Sequence, residues 1–241
     1  MHLAEATWTD VAESDPELAV LPVGSTEQHG PHAPLGTDSL AATAVAEAGA
    51  ERYEAEEETV LVAPTQRVGV AEEHRAFHGT LWLSPETFRA TVRETVESLA
   101  HHGVEGVVVV NGHGGNVDAL GEVCARLTRD DVALTVPFTW FDAVGTDLPM
   151  GHGGARETAM VRHVAPDLLR EDRLETAAAR ASDRWGEWVA GVNLAVDTDE
   201  FAENGVVGDP REGSAEDGAA MLEQAAERLT RLLAAVDERA G

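Results

Sequence analysis

ELAVLPVGSTEQHGPHAPLGTD, residues 17–38, passes from a mostly apolar run straight into a loop with two carboxylates, two histidines, three glycines and two prolines. An apolar run of this length bounded by turn residues reads as a buried strand. The pattern that follows, capped by Asp38 or Ser39 and running to about Ala55, is helical. The same strand-then-helix rhythm recurs along the chain. Further strands are expected at TVLVAP (59–64), GVVVVN (106–111) and VALTVPF (132–138). Ser84, Pro85 and Glu86 mark the start of a helix ending near Gly103, and Asn116 opens another to about Arg129. Ser214 and Asp217 resemble a capping box for a last helix, whose Met221, Leu222, Ala225, Leu229, Leu232, Leu233 and Val236 form one core-facing stripe. Such alternation predicts one α/β domain over residues 1–241, a mostly parallel central sheet between two helical layers. Residues 166–213 are less regular, and no repeat, linker or second domain is visible.

Composition narrows the functional classes. A chain of 241 residues is long enough for a substantial core. No apolar stretch nears the roughly 20 residues that span a bilayer. MHLAEATWTD lacks a basic start and an apolar stretch, so no signal peptide is expected and a cytoplasmic location fits. The lone cysteine, Cys124, excludes an intrachain disulfide and a multi-cysteine zinc site, and reads as a small buried residue. The net charge is −27, and all 17 basic residues are arginine. Such a surface repels nucleic acid and anionic membranes, which leaves a small-molecule substrate as the expected partner. Self-repulsion of this size is tolerable where the Debye length is about 3 Å rather than ~8 Å, so a salt-accumulating halophile is expected. The acidic run EAEEE (54–58) then reads as a solvated face.

Ionisable residues gather in four loops: the opening one, EEHRAFHGT (72–80), NGHGGN (111–116) and GHGGARET (151–158). Loops at the carboxyl ends of different parallel strands converge in space, because ligands bind there in open α/β sheets. Glu27 and His29, two apart, point to one side of an extended segment. Asp38 sits where a helix N-cap is also expected. His113 follows four valines, and Gly112, Gly114 and Gly115 let the backbone pass close to a ligand. NGHGGN lacks the ending of a P-loop and the spacing of a dinucleotide fingerprint. Glu27, His29, Asp38 and His113 make an oxygen and nitrogen donor set that suits Zn, Mn or Fe, as one ion or as two bridged by Asp38. The chemistry that calls for such a set is hydrolysis, because a bound water drops from a pKa of 15.7 to roughly 7.

Other residues keep two readings. His74 and His78 flank Phe77 in a segment fit either to line a pocket or to serve as ordinary loop. His101 and His102 complement the dipole at a helix C-terminus. Trp185 and Trp188 fit a lid or an oligomer contact equally well. Arg67, Arg75 and Arg156 fit a substrate phosphate or surface ion pairs.

GSTEQHGPHAPLGTD, EEHRAFHGT, NGHGGN and HGGARET together resemble the creatininase family of metal-dependent amidohydrolases, over about residues 18–165. The resemblance implies a single three-layer α/β domain and assembly as a homo-oligomer, a hexamer favoured. It implies that Glu27 and His113 serve one metal, His29 the other, and that Asp38 bridges them. His152 matches the family's proton-handling histidine, and Glu157 lies near the metals. Trp140 matches one tryptophan that packs over creatinine; the other falls near Leu148. Creatininase itself carries a carboxylate where this chain has Gly115, so Glu157 or water would replace that ligand. The glycine-rich loop looks more like the archaeal branch that removes formate from a formylaminopyrimidine nucleotide on the way to riboflavin and deazaflavin. A further branch trims a redox-cofactor precursor peptide.

Overall fold

The computed structural model describes residues 1–54 and 59–240. After a short exposed helix α1 (Trp8–Ser14), the chain enters β1 (Leu18–Val23), then α2 (Thr37–Glu54) and β2 (Val60–Val62). There follow α3 (Pro85–His101), β3 (Gly106–Asn111), α4 (Val117–Arg129), β4 (Leu134–Thr139) and α5 (Ala155–Val164). A short α6 (Leu174–Ala179), a hairpin of β5 (Trp188–Val189) and β6 (Val192–Asn193), and the long α7 (Ala215–Ala240) complete it.

β1 to β4 form one parallel sheet in the order β2-β1-β3-β4. Its two central strands are buried along their whole length. That is why they read as unbroken apolar runs: β-branched valines fit a pleated surface covered on both sides. Register pairs Val20 with Val62 and Val108, and Asn111 with Thr139. Leu18, Val20, Val108 and Val110 pack beneath α2, α5 and α7, whereas Ala19, Leu21, Val23, Val107 and Val109 pack against α3 and α4. The chain is therefore a single three-layer α/β domain. Each fully buried valine of β3 contributes roughly 1.5–3 kcal/mol. Among the described residues, no helix is long and apolar enough to cross a membrane.

Several boundaries move, and each shift has a cause. The strand expected at 59–64 is confined to Val60–Val62, and the one at 132–138 lies at Leu134–Thr139. α2 starts before Asp38, which is therefore not its N-cap. The Pro34 carbonyl accepts from Thr37 N–H (3.2 Å) and the Gly36 carbonyl from Leu40 N–H (2.9 Å), so the proline turn itself starts the helix. Asn116 precedes α4 without capping it, because its side chain is used elsewhere. Ser84 does cap α3, and the Ser214–Asp217 pair does close reciprocally. Of the acidic run 54–58, all but Glu54 lies outside the described residues.

Candidate metal and catalytic site

β1 and β3 are neighbours, but the chain leaves β1 toward β2 and leaves β3 toward β4. Their carboxyl ends thus flank a crevice, the place where open α/β sheets bind ligands. β1 delivers Glu27 and His29, and β3 delivers His113. The first turn of α2 contributes Asp38, the first turn of α5 contributes Glu157, and His152 comes from the loop before α5. Close backbone approach requires glycine here. A Cβ on Gly112 would lie 2.2 Å from the Asp38 carbonyl oxygen, so a larger residue would push β3 off α2. Gly153 has φ +57°, and its Cβ would fall 2.8 Å from the His29 carbonyl.

The structure brings all six of these residues together and buries their donor atoms. Oxygen and nitrogen atoms of Glu27, Asp38 and His113 lie within 4.8 Å of one another, as do those of His29, Asp38 and Glu157, and those of Glu27, His29 and His152. His113 Nδ1 is 3.1 Å from Glu27 Oε1 and 3.2 Å from Asp38 Oδ2. Its Nε2–H donates to the Val70 carbonyl at 2.7 Å. His29 Nε2 is 3.0 Å from Asp38 Oδ1 and 3.7 Å from Glu157 Oε2, while its Nδ1–H donates to the Glu27 carbonyl at 3.2 Å. In each ring the outer nitrogen spends its hydrogen on a backbone carbonyl. The inner nitrogen then faces only carboxylate oxygens. Acceptors turned toward acceptors need a cation among them, either a proton or a metal ion. Glu27 Oε1 and Oε2, His29 Nε2 and Asp38 Oδ2 are buried without a hydrogen-bond partner, which fits metal ligation. Among the described residues, the set His29, Asp38 and Glu157 offers the carboxylate that Gly115 cannot carry.

The electrostatics agree with this geometry. Burial disfavours charge on His29, yet Asp38 and Glu157 outweigh it and raise its pKa to about 10. His113 is likewise raised well above 6.5 against burial, by Glu27 and Asp38. Asp38 resists its own burial and is pulled down by His29 and His113. Burial, with the charges of Asp38 and Glu27, lifts Glu157 to about 7. Its Oε2 accepts from Gly153 N–H at 2.5 Å. Burial holds His152 well below 6.5, with help from His29 and His74. His152 Nε2–H donates to the Gln28 carbonyl at 2.6 Å, which leaves Nδ1 as an acceptor 3.8 Å from Glu27 Oε1.

A supporting layer surrounds these groups, and apart from its histidines it went unread in the sequence. His74, His152 and His29 stack in sequence, with centroids 4.3 and 4.4 Å apart. Gln28 Nε2 donates to His74 Nδ1 (2.9 Å) and to the Gly205 carbonyl (3.0 Å), and Thr198 Oγ1 lies 3.0 Å from the same His74 nitrogen. Asn116 accepts from Val70 N–H and donates to the Gly24 carbonyl, tying three loops together. The irregular segment adds a wall: His152 pairs with Val207 through two backbone hydrogen bonds. Gln28, Thr198, Asn116 and Val207 are not metal-ligand types, so in this layer only the histidines carried a signal.

Beside the cluster opens a cavity of about 140 Å³ lined in part by His74, His113, His152 and Glu157. Larger clefts of about 540 Å³ border β4 and the end of α7, away from these groups. Two expected pocket residues lie elsewhere. Trp140 is 1% exposed and packs in the core edge-on to Phe141, and Phe141 rather than Trp140 lines the cavity. His78 is exposed and does not line it. Two of the three loop arginines are occupied: Arg75 pairs with Asp197 (2.8 Å), and Arg156 donates to the carbonyls of Leu148 and Phe141.

The creatininase family model, described as creatinine amidohydrolase, matches residues 4–233, well beyond the span 18–165. A mycofactocin precursor peptide peptidase of Mycobacterium tuberculosis is 35% identical over 247 residues, covering 95% of this chain and 91% of the relative. A creatinine amidohydrolase of Pseudomonas putida is 33% identical over 202 residues, covering 72% and 75%. Among solved structures, a mutant creatininase of Zn–Zn type aligns with a TM-score of 0.78 at 25% identity over 96% of each chain. A creatininase described as a Mn form gives 0.76 at the same identity and coverage.

Proposed function

The chain belongs to the creatininase family of metal-dependent amidohydrolases, and from that premise we propose that it hydrolyses a C–N amide bond at the Glu27–His29–Asp38–His113–Glu157 cluster. The observation that carries the reading is the convergence of carboxylate oxygens and imidazole nitrogens within 4.8 Å of one another, with Glu27 Oε1 and Oε2, His29 Nε2 and Asp38 Oδ2 buried without a hydrogen-bond partner. A divalent ion, Zn, Mn or Fe, supplies there an acidified water and a Lewis acid for the substrate carbonyl.

The chain's own groups handle the rest. Asp38 lies between His29 and His113 and draws both imidazoles to one centre. His152, neutral and fixed by Gln28, offers Nδ1 as an acceptor that steadies the attacking water. The same Nδ1 takes the proton that the attacking water sheds and passes it to the leaving nitrogen, while Glu157 completes the donor set. Proton transfer of this kind is worth typically 10²–10⁴-fold. The buried position of the cluster keeps bulk water from competing and strengthens each charge interaction.

For the substrate, a peptide amide ranks first. The curated peptidase relative covers 95% of this chain. A formylaminopyrimidine ribonucleotide is the second reading, favoured by the glycine-rich loop. Its phosphate would need a cation, and among the described residues lining the cavity none is arginine. The test is to strip the protein with chelator, reload it with Zn, Mn or Fe, and assay a short peptide, the formylaminopyrimidine ribonucleotide and creatinine side by side. Metal-restored cleavage of the peptide is expected. Full turnover by the stripped protein would overturn the metal-dependent reading, and formate release alone would move the substrate to the nucleotide.

A further inference from the structure

The cavity has an outer half that the hydrolytic cluster does not use. Phe141, Met150 and Trp185 form its apolar wall, and Glu73 is the one carboxylate there besides Glu157. Met150 and Trp185 are 42% and 46% exposed, so two large apolar side chains stand open at the mouth. Trp185 is not on a loose loop. The Trp188 indole N–H donates to its carbonyl, and Ser182 Oγ donates to the neighbouring Arg184 carbonyl at 3.0 Å. Asn193 Oδ1 accepts from Glu187 N–H (2.9 Å) and Ala195 N–H (3.1 Å), closing the turn behind it. The Trp185 ring stands nearly perpendicular to His152, with centroids 6.5 Å apart. Glu73 occupies the other side: its Oε1 lies 3.1 Å from where a Cβ on residue 115 would sit. That Cβ would also meet the Val70 carbonyl at 2.2 Å, so residue 115 cannot fill this space and Glu73 does.

We propose that this outer half is the specificity subsite of the enzyme, taking one apolar or aromatic side chain of a peptide against Trp185, Met150 and Phe141, with a flanking backbone N–H donated to Glu73. Three observations set the occupant's chemistry. The whole cavity holds only about 140 Å³ and its mouth is flanked by the exposed Met150 and Trp185, so the scissile amide takes the inner part and there is room for one side chain laid across the mouth. The wall is apolar on one side and an acceptor on the other, which is the pattern of a side chain beside an amide N–H. The net charge of −27 and the carboxylate at the mouth turn away anionic groups, so an acidic residue is excluded at this position.

The inference rests on the peptide reading, and the experiment separates the two. Metal-loaded enzyme is given a peptide series varied only at the residue next to the scissile bond: Phe, Leu, Ala and Asp. The expected order of kcat/KM is Phe and Leu above Ala, and Ala above Asp, with at least about tenfold between first and last. Trp185→Ala should compress the Phe-to-Ala ratio to near one, and Trp185→Phe should keep most of it. Glu73→Gln should lift the penalty on Asp and raise KM more than it lowers kcat. Leu168→Ala, an exposed side chain in the turn after α5, serves as the folded control and should leave the ratio unchanged. Peptide cleavage without side-chain preference, or a preference that survives Trp185→Ala, overturns the subsite and leaves the peptidase reading standing. Cleavage of the nucleotide or creatinine with every peptide refused overturns both.

Discussion

The loop after β1 supplies the buried cluster beside the cavity and the segment from Ser182 to Val207 supplies Trp185 to its wall, yet the two are built on opposite lines. The first buries its ionisable groups completely: Glu27, His29 and His32 are all 0% exposed. The second leaves apolar side chains in water, with Trp188, Val192 and Val196 at 61%, 60% and 78%. Burying charge is costly and demands fixed partners, so the inner wall admits one arrangement. Exposed apolar surface is unfavourable in water and gains free energy when something covers it, so the outer wall is suited to take an apolar group. On the function and the subsite proposed above, chemistry and selection are carried by separate stretches of chain.

The largest expected effect falls on the inner wall. Asp38→Ala removes the carboxylate that lies 3.0 Å from His29 and 3.2 Å from His113. Changing a supporting residue around a metal typically costs 10–100-fold, so loss of this shared ligand should exceed about 100-fold in turnover and lower metal content in elemental analysis. Retention of both would break the contrast drawn above. The next effect is on stability. Burial, aided by the charges of His29 and Arg162, lowers the His32 pKa to about 4. The unfolded chain near pKa 6.5 therefore binds more protons than the folded one between pH 6.5 and 4, and stability falls as pH drops through that window. At 1.36 kcal/mol per pKa unit, the loss complete below pH 4 is about 3 kcal/mol. Denaturant unfolding of His32→Gln should lose that much less between pH 7 and pH 4 than the parent; equal losses would sink the assignment.

These same residues show what could be read from sequence. The valine run of β3 and the apolar run of β1 were legible because burial on both faces leaves no other pattern. Glu27, His29 and His113 were legible because a loop seldom gathers such side chains for packing. Asp38 was read two ways, since a cap and a ligand call for the same residue, and only the turn at Pro34 decides between them. Trp140 and Phe141 are adjacent buried aromatics, and nothing local tells which one lines the cavity. Gln28, Glu73 and Trp185 act through partners far along the chain, as Gln28 does with Gly205, so no spacing announces them.

Two smaller effects sharpen the picture. Asn116→Ala leaves the Val70 N–H and the Gly24 carbonyl without partners and should cost about 1–3 kcal/mol in urea unfolding. An unchanged midpoint would mean that water replaces the amide. Cys124, buried in the layer with α3 and α4, has its thiol pushed up to about 12 by burial. It should stay unmodified by a thiol reagent at pH 8 in the native protein and react once unfolded; rapid native labelling would show that layer to be open.

The donor atoms come from Glu27 through Glu157, with β2, α3 and α4 folded in between. No short peptide cut from the chain can reproduce them, and capture of the ion must wait until β1 and β3 have paired. An ion that binds only this late state pulls the folding equilibrium toward it, by an amount that grows with its free concentration. Metal supply in the cell would then govern how much of this protein survives as well as how fast it works.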